Sequence, residues 1–149
     1  MRKTALITGA SRGLGATLAA FLAAQDHDLV LTARGADELA ASARAVSHYG
    51  GRVMTLAGDV AEDAHRWKLV EASSELGGLD LLVNNASDLG PTPLPKLADY
   101  SLDGLVRLLT VNIVAPLGLR LVTRPRERAP FHKLMSLSER TGRTCPRVQ

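Results

Sequence analysis

The sequence predicts an α/β chain built on a doubly wound parallel sheet of about four to five strands, without a completed C-terminal part. Three observations predict it. Short apolar runs of strand length alternate with helical patterns through residues 1–119, an order that yields parallel strands joined by covering helices. Glycines cluster directly between the first such run and the first helical pattern. Near Leu119 both the periodicity and the charge change, which divides the chain into an α/β domain (1–119) and a divergent basic tail (120–149).

The elements follow in order. Lys3–Thr8 (KTALIT) reads as a buried strand, and Leu14, Leu18, Phe21 and Leu22 recur behind it at helical spacing as one apolar stripe. Asp28–Thr32 is a second strand; Asp37–Val46 is a helix with Leu39, Ala43 and Val46 inward; Arg52–Leu56 is a third strand. Ala61–Leu76 is the next helix, closed by Gly77-Gly78, where a left-handed residue can cap its carbonyls. Leu79–Val83 is a fourth strand, and Ser87–Pro95, with three prolines, is a loop. A long helix begins with Ser101 as N-cap, its expected inner stripe running through Leu102, Leu105, Val106, Leu109 and Ile113. In the tail only Lys133–Ser138 alternates, weakly, as a candidate fifth strand.

Of the 149 residues 46% are apolar and 22% charged, which excludes a disordered polymer, and one cysteine, Cys145, excludes a disulfide scaffold. The longest nearly apolar stretch, Ala16–Ala24, is too short to cross a bilayer. The apolar run after Met1-Arg2-Lys3 is broken by Ser11-Arg12-Gly13, which argues against a secretory signal and for the cytoplasm. Residues 1–119 hold ten Lys/Arg and thirteen Asp/Glu, whereas 120–149 hold eight and two. A basic arm raises nucleic-acid binding as a reading, but the tail has one aromatic, Phe131, and charge alone is a weak footprint. The four histidines show no metal-ligand spacing.

The chemistry sits after the first strand. Thr8-Gly9-Ala10-Ser11-Arg12-Gly13-Leu14-Gly15 opens the first helix, and three glycines there let the backbone pass close to a phosphate. Free N–H groups and the positive end of the helix then face the anion. With a strand before and a helix after, this is the context of a Rossmann-like dinucleotide site, to which Gly9, Ser11, Arg12, Gly13, Leu14 and Gly15 belong. No Gly-Lys pair follows, so a Walker-type loop is excluded.

The spacing TGxxxGxG, with Asp59-Val60 after the third strand and Asn84-Asn85-Ala86 after the fourth, resembles the short-chain dehydrogenase/reductase family over residues 1 to about 119. The resemblance implies that Asp59 contacts the adenine with Val60 beside it, and that Asn84, Asn85 and Ala86 line the nicotinamide side. Ser87 stands where the family usually has glycine. An acidic residue ending the second strand would bind the ribose 2′-hydroxyl of NAD. This chain has Arg34 there and Arg12 in the glycine turn, both suited to a 2′-phosphate, so NADP(H) is expected over NAD(H).

Asn112 falls on the apolar side of the last helix, where a buried amide needs partners. Pro116, four residues on, cannot donate to its carbonyl, which predicts a kink. The resemblance implies that Asn112 holds a water in the proton relay; a satisfied core asparagine is the bland alternative. The family's Tyr-x-x-x-Lys is absent: Val53 and Gly104 stand four residues after Tyr49 and Tyr100. The expectation is therefore a hydride-transferring oxidoreductase acting on an alcohol or carbonyl substrate, here as a truncated or altered chain inactive alone. A non-catalytic NADP(H)-binding module and a basic-tailed interaction protein are the alternatives. An open sheet edge also predicts poor solubility or a compensating homo-oligomer.

Overall fold

The computed structural model describes residues 2–123. Strands β1 (Lys3–Thr8), β2 (His27–Ala33), β3 (Val53–Ala57) and β4 (Leu81–Val83) form one parallel sheet in the order β3-β2-β1-β4. Ile7 lies opposite Leu31 on one side and Val83 on the other. The expected boundaries hold to within two residues. The tail beyond Thr123, with its candidate fifth strand, lies outside the described residues.

Alternation along the central strands sorts the core into two layers. Ala5, Ile7, Leu29 and Leu31 face α1 (Gly13–Ala24) and α2 (Ala36–Val46), packing on Ala19, Leu22, Leu39 and Val46. Leu6 and Val30 face the opposite way, onto Leu69 and Ala72 of α3 (Asp63–Glu75) and onto Leu119. The sheet is therefore wound on both faces, as the alternation of patterns predicts. Gly77 and Gly78 close α3 with positive φ, donating to the Ser74 and Ser73 carbonyls.

Two helices turn differently from their sequence stripes. In α1 the buried residues are Gly15, Ala19, Leu22 and Ala23, whereas Leu14 and Phe21 are 66% and 60% exposed. The cause is steric: a Cβ on Gly15 would stand 2.2 Å from the Gly9 carbonyl oxygen, so contact with the β1–α1 turn fixes the rotation of the helix. The last helix runs from α4 (Leu102–Leu109) through a π turn (Thr110–Val114) into α5 (Ala115–Val122). Ser101 caps it as expected, accepting from the Gly104 N–H at 3.1 Å. Its buried residues are Val111, Ala115 and Leu119, not the expected stripe; Leu102, Val106, Leu109 and Ile113 are exposed. A helix apolar on most of its circumference carries two candidate inner faces, and the one with the smaller side chains approaches Val60 and α3. The break expected at Pro116 takes the form of the π turn, in which the Ala115 N–H donates to the Thr110 carbonyl.

Leu102–Val122 spans 21 residues with mean hydropathy 1.7, long and apolar enough to cross a bilayer. The sequence reading, which took Ala16–Ala24 as the longest such stretch, misses it because Asp103, Arg107 and Arg120 interrupt the run. The buried face of this helix packs on α3 and Val60, Arg107 and Asn112 reach Asp59 and Asp88, and Leu102, Val106, Ile113 and Leu117 are exposed among the described residues.

Candidate functional site

A cleft of about 580 Å³ opens at the C-terminal ends of the strands, where an open α/β sheet binds ligands. Ten of the residues expected to hold a dinucleotide line it: Gly9, Ser11, Arg12, Gly13, Leu14, Arg34, Asp59, Val60, Asn85 and Ala86. Gly15 lies beneath the turn instead of on the cleft wall. Asn84 faces away, into a shallow groove with Asp80 and Arg120 beside β4, the edge strand among the described residues.

The turn is shaped by its neighbours. Gly9 has φ of +66°, and a Cβ there would meet the Ala86 Cα at 2.9 Å. Asn85 donates from Nδ2 to the Thr8 and Gly9 carbonyls at 3.1 and 3.0 Å. The Thr8 hydroxyl accepts the Asn85 and Ala86 backbone N–H groups, both at 3.0 Å. The end of β1 is thus bonded to the segment after β4, holding both walls in register. At the start of α1, Arg12 is extended (φ −159°) and makes no side-chain cap, and the first turn holds no acidic residue. A Cβ on Gly13 would meet nothing within 4 Å. An uncapped helix N-terminus behind an open turn fits a phosphate group.

The charges in the cleft balance unevenly. Arg12 and Arg34 are exposed and make no ion pair among the described residues. Arg107, from α4, donates from Nη2 to Asp59 Oδ2 and stands 4.0 Å through Nε from Asp88. Burial opposes ionisation of Asp59. The hydrogen bonds from Arg107 and the Ala61 N–H, with the charges of Arg107 and Arg34, outweigh it and hold the carboxyl below its ordinary range. His65 lies behind this wall, its Nε2 2.8 Å from the Thr32 hydroxyl, and burial lowers its pKa.

Asn112 does not line the cleft. Its Oδ1 accepts the Asp88 N–H at 2.9 Å and its Nδ2 donates to the Asp88 carbonyl at 2.7 Å, so the amide clamps the segment after β4. The cleft also includes residues that sequence reading did not single out: Gly35, Glu38, Gly58, Asp88, Arg107 and Val111. A Cβ on Gly35 would be 2.3 Å from Glu38 Oε2, so this carboxylate folds back over the N-terminus of α2, where the helix end favours it. The Gly35–Glu38 spacing at that helix start was the one available signal.

The sequence model of the short chain dehydrogenase family matches residues 3–124. The chain belongs to this family. It is 33% identical to the ketoacyl reductase HetN of Nostoc over 125 residues, 83% of this chain and 42% of the relative. It is 37% identical to an uncharacterized oxidoreductase of Mycobacterium tuberculosis over 148 residues, 97% of this chain and 55% of the relative. That match takes in the basic tail as well as the sheet. The L-sorbose reductase of Gluconobacter frateurii, solved with NADPH and L-sorbose, superposes with a TM-score of 0.75 at 31% identity, over 82% of this chain and 46% of that one. Other solved structures of the fold hold NADP or NAD+. This short-chain dehydrogenase chain spans about half the length of the curated relatives it matches.

Proposed function

We propose that this short-chain dehydrogenase chain binds NADP(H), in preference to NAD(H), as the cofactor half of an oxidoreductase for an alcohol or carbonyl substrate. The observation that carries the reading is the uncapped start of α1 behind the glycine turn, flanked by Arg12 and Arg34, which make no ion pair among the described residues. In this reading the turn from Gly9 to Gly15 holds the pyrophosphate, with Ser11, Gly13 and Leu14 on its inner surface. Arg12 and Arg34 take the 2′-phosphate, with Glu38 beside them as an opposing charge. Asp59 and Val60 receive the adenine, and Asn85 and Ala86 border the nicotinamide. The dinucleotide, when bound, supplies or accepts the hydride. Asn112 serves the site by fixing the backbone at Asp88.

Proton transfer requires a donor that these 149 residues do not present in the family's Tyr-x-x-x-Lys form. The chain by itself is accordingly proposed to bind cofactor without turning over substrate. The exposed stripe Leu102, Val106, Leu109, Ile113, Leu117 and Leu121, spaced three and four apart, supports a homo-oligomer joined through α4 and α5. Action in the cytoplasm, with neither membrane nor nucleic acid as partner, completes the reading. Fluorescence titration of the full chain with NADPH and NADH tests it. Tighter binding of NADPH is expected, with Arg34→Asp lowering the NADPH-to-NADH affinity ratio about tenfold, the scale of one charged hydrogen bond. An unchanged ratio refutes the preference.

A further inference from the structure

Arg107 has no part in the cofactor contacts proposed above, yet it bridges the two walls of the cleft. Its guanidinium leaves α4, donates from Nη2 to Asp59 at the end of β3, and approaches Asp88 after β4. Each wall is anchored separately. Asp59 Oδ1 accepts the Ala61 N–H at 2.9 Å, while Asp88 Oδ1 accepts the Gly90 N–H at 2.9 Å and its backbone is clamped by Asn112. A planar guanidinium can serve two such acceptors at once, which an ammonium cannot do in a fixed plane.

The hydrogen-bond inventory of Asp59 shows what the arrangement leaves available. A carboxylate offers about four lone-pair directions. Ala61 takes one on Oδ1 and Arg107 one on Oδ2, so the remaining ones can accept an N–H from a molecule in the cleft. The side chain is less than a quarter exposed, and the guanidinium fixes where it points.

We propose that Arg107 is a positioning residue for the base of the bound nucleotide: by fixing the orientation of the Asp59 carboxylate, it makes the site select a purine that presents an amino N–H over one that presents a carbonyl oxygen. This rests on the dinucleotide reading above. An adenine donates to the free lone pairs of Asp59. A hypoxanthine places an oxygen at that position, where the ionised carboxylate repels it.

The test compares NADPH with its deamino analogue, nicotinamide hypoxanthine dinucleotide phosphate, by calorimetry on the full chain. The wild type is expected to bind NADPH more tightly. Arg107→Leu is expected to weaken NADPH about tenfold while leaving the analogue nearly unmoved, as for a lost charge-assisted contact. Arg107→Lys, which keeps the charge but not the planar bridge between Asp59 and Asp88, is expected to lower the preference to a value between wild type and the leucine variant. Should the leucine variant fail to fold, Arg107→Gln carries the same comparison, with a reduced preference expected. Equal weakening of both ligands means a structural role only and overturns the inference, as does an unchanged ratio or a wild type indifferent to the amino group. A wild type that binds neither ligand refutes the dinucleotide reading itself, and this inference with it.

Discussion

Replacing Asn85 by aspartate swaps a donor for an acceptor where two carbonyl oxygens converge. The Nδ2 group sits 3.1 Å from the Thr8 carbonyl oxygen and 3.0 Å from that of Gly9, in a half-buried position. Asn85→Ala removes both donations and should cost about 2 kcal/mol, at about 1 kcal/mol for each net hydrogen bond. Asn85→Asp removes them and adds an unpaired negative charge facing two partial negative ones. Its cost should reach about 3–4 kcal/mol, a large share of a typical domain's stability of about 5–15 kcal/mol. Protonation reverses part of this. The aspartate's pKa is raised in the folded state, because the neutral acid can donate to a carbonyl and the charged form cannot. The native state then binds more protons than the unfolded one above the unfolded pKa, so the variant's stability falls as pH rises and recovers as pH falls. Urea denaturation of wild type, Asn85→Ala and Asn85→Asp at pH 7 and pH 5 measures both effects. An aspartate variant no less stable than the alanine variant at pH 7, or a gap that does not narrow at pH 5, would refute the reasoning.

Other outcomes follow from the same geometry. Gly15→Ala pushes a methyl into the Gly9 carbonyl and the Asn85 amide, so NADPH binding and the thermal midpoint should both drop, with overpacking costing about 1–3 kcal/mol or more. Unaltered titration and melting curves would show that the turn yields freely. Burial opposes the charge on Asp28, but the Arg52 backbone N–H, the guanidinium bonds at 2.7–2.8 Å and its charge hold the carboxyl below its ordinary range. That stability is present above the unfolded pKa of about 3.9 and is lost as pH falls through the lower folded value. Arg52→Met should therefore unfold at a higher pH than wild type in an acid titration followed by circular dichroism; coincident curves would remove Arg52 from the account. Val106→Glu with Ile113→Glu should convert an oligomer to a monomer in analytical ultracentrifugation, and a monomeric wild type would end the proposal for that face.

The sequence and structure agree where the backbone itself imposes a requirement. Gly9 and the start of α1 could be read in advance because a left-handed turn against Ala86 tolerates no other residue, and such demands leave a mark at fixed spacing. The strands were legible for the same kind of reason: buried parallel strands must be apolar on both faces, which Lys3–Thr8 and His27–Ala33 display. Orientation was not legible. The rotation of α1 is decided by one glycine meeting a carbonyl, so a stripe containing Leu14 and Phe21 pointed the wrong way. The last helix is apolar over most of its surface, and hydrophobicity alone could not choose between Val111–Ala115–Leu119 and the larger residues beside them. Pairs across the cleft were least legible. Arg107 and Asp59 lie 48 positions apart, and no local rule ties an arginine in mid-helix to a carboxylate at a strand end. Glycines report what the chain must avoid near its own backbone, whereas the charges that could decide which ligand enters are matched only once the sheet has brought β3, β4 and α4 together. The glycine turn, with Arg12 in it and Arg34 at the end of β2, can thus be read from the sequence, whereas the pairing of Arg107 with Asp59 has to be read from the fold.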